Sequence, residues 1–214
     1  MNELKTATDE MVHPELAQIE FEGQERSDFL LKGAMAAGAI FGLGAISPFV
    51  RNAVAKADMG DVEILNYALT LEYLESAFYK EAKTKVKGSS DLMELINTLS
   101  TDEDAHVTAL TDTIKSLGGK PVKAPKVSFP YTDTASFVKL ATTIEDTGVS
   151  AYNGVAPEIK SKDVLAAAGS IVQVEARHAA AMGLQNGTSP APDAFDPSLT
   201  QKEVLKAVTP FLVS

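Results

Sequence analysis

The chain has 214 residues, of which 45% are hydrophobic and 22% charged, a composition typical of a protein that folds around a core. It contains no cysteine, which excludes disulfides, thiolate metal sites and cysteine nucleophiles, so any metal must be held by oxygen and nitrogen atoms. The formal net charge of −10 argues against nucleic acid as a partner, because phosphate binding requires a basic face. The same acidic balance favours the approach of cations.

The N-terminal segment, residues 1–57, has the features of a leader rather than of a folded domain. An uncharged run of 18 residues, GAMAAGAIFGLGAISPFV, extends from Gly33 to Val50. The triplet Ala55-Lys56-Ala57 follows it and fits the small-x-small rule of a signal-peptidase site, with cleavage before Asp58. These features predict a removable export signal.

The stretch before the apolar run adds a second indication of export. The sequence RSDFLLKG, which begins at Arg26, is similar to a twin-arginine export signal, although Ser27 replaces the second arginine. We therefore expect a periplasmic or extracellular protein. The alternative is a membrane-anchored protein that retains residues 33–50, which are just long enough to cross a bilayer. Membrane contact is expected only in that case.

The second segment, residues 58–214, has the hydrophobic periodicity of an all-α domain. Glycine, proline and capping residues divide it into four long helices and one short amphipathic helix near the C-terminus. The predicted helices span about residues 61–86, 91–117, 134–155, 163–185 and 200–208. The only candidate strand is KVSFPYT, residues 126–132.

The connections between these helices indicate how they pack. Short turns join the first helix to the second and the third to the fourth, whereas residues 118–133 form a longer connection with three prolines. That connection is long enough to cross from one end of a bundle to the other. A four-helix bundle with one long crossover between its second and third helices is the ferritin-like arrangement.

Two Glu-x-x-His motifs carry the predicted chemistry. The second helix contains Glu103-Asp104-Ala105-His106 and the fourth contains Glu175-Ala176-Arg177-His178. Residues three apart share a helix face, so the carboxylate and the imidazole of each motif can reach one point. One such match would be a weak signal, but these two motifs include two of the three histidines in the chain.

A two-metal bundle also needs one glutamate from each of the other helices. Glu145 is the candidate on the third helix, and Glu72 or Glu75 on the first. The spacing favours Glu72, because a tyrosine follows both Glu72 and Glu145 seven residues later, at Tyr79 and Tyr152. We expect Glu75 to have little effect on the site. The two tyrosines are either core aromatics or hydrogen-bond partners of ligand carboxylates.

This donor set predicts two divalent metal ions. Four carboxylates balance the charge of two divalent cations, and carboxylate with imidazole suits Fe and Mn and tolerates Zn. The predicted ligands are Glu72, Glu103, His106, Glu145, Glu175 and His178. Each glutamate taken alone has a simpler interpretation as a solvated charge on a helix surface.

Three stretches resemble the bacterial ferritin-like family related to plant desiccation-related proteins. They are LNYALTLEYLESAFYKEA from Leu65, VLAAAGSIVQVEARHAA from Val164 and EVLKAVTPFL from Glu203. The resemblance implies a ferritin-like fold with a di-iron or di-manganese site at the six residues above. More distantly, the ligand pattern is similar to those of bacterioferritin and manganese catalase.

Three functions are compatible with these features. The first is an oxidase that reacts Fe²⁺ or Mn²⁺ with O₂ or H₂O₂ in stress protection, with metal ions and oxidant as its partners. The second is a non-catalytic stress-protective bundle whose metals are structural. The third is a partner-binding helical module with a vestigial site. A homo-oligomer is compatible with all three.

Overall fold

The computed structural model describes residues 60–213, and the predicted leader with its apolar run lies outside them. The described chain forms five α-helices and two short 3₁₀ turns. The helices are α1 (Asp61–Lys85), α2 (Ser90–Ser116), α3 (Thr134–Val155), α4 (Lys162–Gln185) and α5 (Gln201–Val208). The predicted all-α bundle with a short C-terminal helix is therefore confirmed, and every predicted helix end lies within one or two residues of the observed one.

Local capping explains where these helices begin. The side chains of Ser89, Asp133 and Ser161 each accept a hydrogen bond from a backbone N–H of the first turn of α2, α3 and α4. Such caps satisfy amide groups that have no partner within the helix. At the other end of α2, Gly118 has a φ of 75°, a conformation that glycine adopts without steric cost, and it ends the helix.

Contacts of the long connection show that it crosses the bundle. Near the start of α1, Asn66 donates to the carbonyl of Lys120 at 3.2 Å and accepts from the backbone of Val122 at 2.8 Å. At the opposite end, the hydroxyl of Thr134 donates to the carbonyl of Lys87 in the α1–α2 turn. The connection thus runs the length of the bundle, as predicted, and α3 begins beside that turn.

The directions of the helices follow from these contacts. Asp61, the first residue of α1, accepts hydrogen bonds from the backbone of Lys160 and Ser161 in the α3–α4 connection, both at 2.8 Å. That connection therefore lies at the end of the bundle where α1 begins. As a result α1 and α4 run in one direction, and α2 and α3 run in the other.

The candidate strand forms only one bridge. Val127 pairs with Leu212 as an isolated antiparallel bridge, and no strand is present in residues 60–213. Hydrogen bonds from Ser128 to Phe211 and from Val213 to Lys126 hold the crossover against the C-terminal tail. The partner segment is too short and too close to a helix end for a ladder to continue.

None of the helices in the described part of the chain combines the length and the apolar composition needed to span a bilayer.

Candidate metal centre

The Glu-x-x-His motifs place four ionisable side chains inside the bundle. Glu103 and His106 lie on one face of α2, and Glu175 and His178 lie on one face of α4. Both glutamates are fully buried, and the histidines are at most 8% exposed. Buried carboxylates are costly unless something compensates their charge, so this arrangement requires a bound cation or bound protons.

The buried groups form two overlapping sets. One, the Glu72–His106 position, contains donor atoms from Glu72, Glu103, His106 and Glu175, all within 4.8 Å of one another. The other, the Glu145–His178 position, contains donor atoms from Glu103, Glu145, Glu175 and His178 within the same limit. The structure thus brings together all six residues that the sequence predicted. Their role as ligands remains a prediction.

Two glutamates are shared because each directs one oxygen to each position. Glu103 places Oε2 at 3.1 Å from Nδ1 of His106 and Oε1 at 2.8 Å from Nδ1 of His178. Glu175 places Oε1 at 2.8 Å from Nδ1 of His106 and Oε2 at 3.9 Å from Nδ1 of His178. This orientation is suited to carboxylates that bridge two cations.

The other two glutamates each serve one position. Oε2 of Glu72, on α1, lies 3.2 Å from Nδ1 of His106. Oε2 of Glu145, on α3, lies 3.6 Å from Nδ1 of His178. Each position therefore has one terminal carboxylate, one imidazole and two shared carboxylates.

Unsatisfied donor atoms show that this set fits metal ions. Six buried atoms of the site have no hydrogen bond of acceptable geometry, although several are within ion-pair distance of a neighbour. They are Glu72 Oε2, Glu103 Oε1, Glu145 Oε2, both carboxylate oxygens of Glu175 and Nδ1 of His178. Buried polar atoms are normally satisfied, and these converge on two points. Divalent ions bound there would satisfy them.

Without metal, protons take the place of the cations. Although burial opposes ionisation, close contacts with His106 and His178 lower the pKa of Glu103 to about 2. Burial likewise disfavours a charged His106, but close contacts with Glu103, Glu175 and Glu72 raise its pKa to about 12. The pKa of His178 is also raised, by its close contact with Glu103 against the effect of burial. The metal-free arrangement therefore favours a charged Glu103 beside the two imidazoles.

The other three site glutamates have the opposite tendency. Burial raises the pKa of Glu72 and Glu145 well above the usual value, and the charge of Glu175 adds to the effect in both cases. Burial also raises the pKa of Glu175 itself. Like charges this close are unfavourable together, so the metal-free site favours the protonated forms of these groups.

The two predicted tyrosines connect the halves of the bundle. Tyr79 on α1 donates its hydroxyl hydrogen bond to Oε1 of Glu145 on α3, and Tyr152 on α3 donates to Oε1 of Glu72 on α1. Of the two interpretations, hydrogen bonding to the site carboxylates is the one observed. Each bond leaves the second oxygen of its glutamate directed to the metal position. Groups that orient ligands in this way commonly tune a metal site.

Two further acidic residues lie at the site: Asp102, which the sequence prediction does not include, and Glu75, the alternative to Glu72 on α1. Oδ2 of Asp102 lies 3.2 Å from Nε2 of His178. Glu75 is 3% exposed, and burial together with the charges of Glu175 and Glu72 raises its pKa well above the usual value. In the sequence, the position of Asp102 directly before Glu103 is only a weak indication that it lies at the site. Glu75 is indicated more clearly, since it lies one helical turn from Glu72.

A groove between α2 and α4 leads to the site. It has a volume of about 440 Å³, and its lining includes Asp102, His106, Val174 and His178. The groove reaches both histidines from the side that α1 and α3 do not cover. It leaves this side of the site open to small solutes.

Comparisons with known proteins agree with this fold. The ferritin-like domain model matches residues 60–187. Among the curated proteins, none matches this chain. Solved structures do match, and the three described next are each at most 21% identical, so they support the fold alone.

A conserved hypothetical protein from Mycobacterium tuberculosis is 16% identical, with a TM-score of 0.54 over 58% of this chain and 96% of its own. A ferritin-like, diiron-carboxylate protein from Bacillus anthracis is 21% identical, with a TM-score of 0.53 over 59% and 94%. The dodecameric thioferritin of Bacteroides fragilis, a bacterioferritin-related protein, is 21% identical, with a TM-score of 0.51 over 70% and 86%. With a matching family model across more than half its length and this bundle around a glutamate–histidine cluster, the chain belongs to the ferritin-like domain family.

Proposed function

We propose that this protein binds two Fe or Mn ions per chain and uses them to reduce O₂ or H₂O₂. The observation that carries the proposal is the pair of positions at Glu72–His106 and Glu145–His178, which share the two bridging carboxylates. Such donors suit Fe and Mn, and Zn would also be tolerated.

The charge balance supports divalent ions. Four carboxylates at the two positions match the four positive charges of two divalent cations, whereas the metal-free site must hold protons instead. When bound, the two ions would each supply one electron. The two electrons together with two protons convert H₂O₂ into two water molecules. In this reaction the bound ions are substrates that leave after oxidation, because ions that stayed bound would need a separate reductant to become divalent again.

The protein's own groups contribute orientation and protons. Tyr79 and Tyr152 donate hydroxyl hydrogen bonds to the terminal carboxylates. These bonds fix which carboxylate oxygen faces the site. The apolar surroundings of α1 and α3 exclude bulk water from one side, and the groove between α2 and α4 admits small molecules on the other. This combination favours a small oxidant over a large organic substrate.

Oxidant consumption tests the proposal directly. Protein loaded anaerobically with Fe²⁺ is mixed with O₂ or H₂O₂, and loss of oxidant is compared with that caused by the same Fe²⁺ in buffer. We expect faster consumption by the wild type and a loss of at least about 10–100-fold in Glu103→Gln, because even groups behind the ligands have effects of that size. Glu94→Gln, on the exposed side of the same helix, is the matched control and should retain the wild-type rate.

The alternative is a bundle whose metals only stabilise it. Metal binding by the wild type with no acceleration over Fe²⁺ in buffer would support that function and contradict the oxidase. A role in stress protection follows only if oxidant is consumed.

A homo-oligomer is also part of the proposal. The B. fragilis protein with the same fold is described as dodecameric. Light scattering of the purified protein would measure the mass of the assembly, and a monomer across the micromolar range would contradict this part.

A further inference from the structure

The two halves of the site repeat one another, but not completely. Glu103 and His106 on α2 correspond to Glu175 and His178 on α4, each pair separated by the same number of residues. At the same spacing Asp102 corresponds to Val174. A carboxylate in one half is therefore matched by an apolar side chain in the other.

Asp102 acts on one histidine only. It contacts Nε2 of His178 at 3.2 Å, while Nδ1 of the same ring faces Glu103 at 2.8 Å. An imidazole that donates its Nε2–H to a carboxylate presents the lone pair of Nδ1 to a metal and becomes a stronger ligand. Val174 lines the same groove as His106, but its side chain has no atom that can accept a hydrogen bond.

The second departure from symmetry lies between α1 and α3. Glu75 corresponds to Gly148, by the spacing that relates Glu72 to Glu145. A Cβ atom at Gly148 would lie 2.7 Å from Oε1 of Glu75, closer than real Cβ contacts, and 3.5 Å from Oε2 of Glu175. Glycine at this position leaves the space that the Glu75 carboxylate occupies.

One oxygen of this carboxylate lies near Glu175, which is shared by the two positions. The Glu175 oxygen nearest to Gly148, Oε2, is directed to His178, whereas Oε1 is directed to His106. Glu75 is almost fully buried, and the charges of Glu72 and Glu145, one from each position, both act on it. Its carboxylate therefore lies beside both positions, and Asp102 is the group that distinguishes them.

We propose that the two metal positions are inequivalent and that the Glu145–His178 position binds the first, tighter ion, because Asp102 contacts the histidine of that position and Val174 stands at the equivalent place in the other half. The inference rests on the proposed two-metal site. Loss of a carboxylate behind a metal-bound histidine typically lowers metal affinity by about 10–100-fold, so the difference between the positions should be of that order.

Anaerobic titration of metal-free protein with Mn²⁺ tests the order of binding, with free Mn²⁺ measured by electron paramagnetic resonance. We expect two steps in the wild type. Asp102→Asn, a substitution of equal size at a partly exposed residue, should weaken the tighter step by about 10–100-fold and leave the weaker step unchanged.

The matched variant is Val174→Asp, which places a carboxylate behind His106 and should tighten the weaker step, while Val174→Asn controls for size. Two indistinguishable steps in the wild type, or an effect of Asp102→Asn on the weaker step, would overturn the inference. Circular dichroism establishes that each variant is folded. The titration contains no oxidant, so it tests binding separately from oxidation. Binding in the expected order by a protein that later fails to consume oxidant would contradict only the proposed oxidase. Absence of Mn²⁺ binding would contradict both the proposed oxidase and the inferred order of binding.

Discussion

Tyr152 on α3 donates a hydrogen bond to Glu72 on α1, across the interface between the two halves of the bundle. Tyr79 makes the reciprocal bond to Glu145. The antiparallel packing of α1 against α3 makes this exchange possible. Each half of the protein therefore orients a carboxylate of the other, and the two candidate metal positions are structurally linked.

Removal of one tyrosine hydroxyl should destabilise the protein and weaken metal binding. Tyr152→Phe leaves Oε1 of Glu72 buried without its donor, which typically costs about 1–3 kcal/mol. We expect the metal-free protein to melt several degrees lower, since each kcal/mol shifts the melting temperature of a domain this size by about 2–4 °C. Calorimetry measures the change. Tyr73→Phe, on α1 and outside these bonds, is the control, and an equal shift in both variants would contradict the role assigned to Tyr152.

The metal-free protein should lose stability between pH 6 and pH 8. The pKa of His106 is raised to about 12 in the folded protein. Its contribution to the free energy of unfolding is therefore complete below the pKa of the unfolded chain, near 6.5, and declines as the pH rises above that value. The raised pKa values of Glu72 and Glu145 act in the same direction, because stability is lost as pH rises through them. Glu103, with a pKa of about 2, contributes equally at both pH values.

Metal should reverse this dependence, because cations require the deprotonated ligands and bind the folded site. An ion present at about 100 times its dissociation constant adds about 2.7 kcal/mol per site. The metal-loaded protein should therefore melt several degrees above the metal-free protein, by a margin that widens from pH 6 to pH 8. Melting curves at both pH values measure that margin. A margin that narrows would contradict the proton-for-metal exchange.

Glu72 and Glu75 should have different effects on stoichiometry. Glu72 lies among the donor atoms of one position, whereas Glu75 lies outside both sets. Glu72→Gln should reduce Mn²⁺ binding from two equivalents to one, and Glu75→Gln should retain two equivalents. Equilibrium dialysis measures both. Loss of an equivalent only in Glu75→Gln would show that the internal repeat misidentified the ligand of α1.

The leader prediction concerns residues outside the described structure. We propose that the mature protein begins at or near Asp58 and is exported, because Ala55-Lys56-Ala57 follows the uncharged run from Gly33 to Val50. Intact-mass measurement of protein from its native source should give a chain starting there. A full-length cytoplasmic species would contradict export, and a full-length membrane-bound species would support the anchor.

Much of this arrangement follows from local sequence patterns. Helix periodicity, capping residues and the long proline-containing connection predict the bundle, and Glu-x-x-His spacing brings Glu103 and Glu175 beside their histidines because residues three apart share a face. The resemblance to the ferritin-like family is confirmed at the level of that family.

Other features depend on packing between helices. The sequence allows Tyr79 to bond a site carboxylate but does not show which one, and the antiparallel packing of α1 and α3 pairs it with Glu145. The space above Gly148 that receives Glu75 likewise exists only once the two helices are in contact. The bridge between Val127 and Leu212 joins segments far apart in the chain, so local propensity overestimates it as a strand.

Metal content is the most direct test of the two-metal site. Protein reconstituted anaerobically with Fe²⁺ or Mn²⁺ and freed of unbound metal is measured by elemental analysis against protein concentration. The six converging residues predict two ions per chain for the wild type and fewer for Glu103→Gln, whose carboxylate serves both positions. Saturation at one ion, or a content unchanged by Glu103→Gln, would contradict the two-metal site.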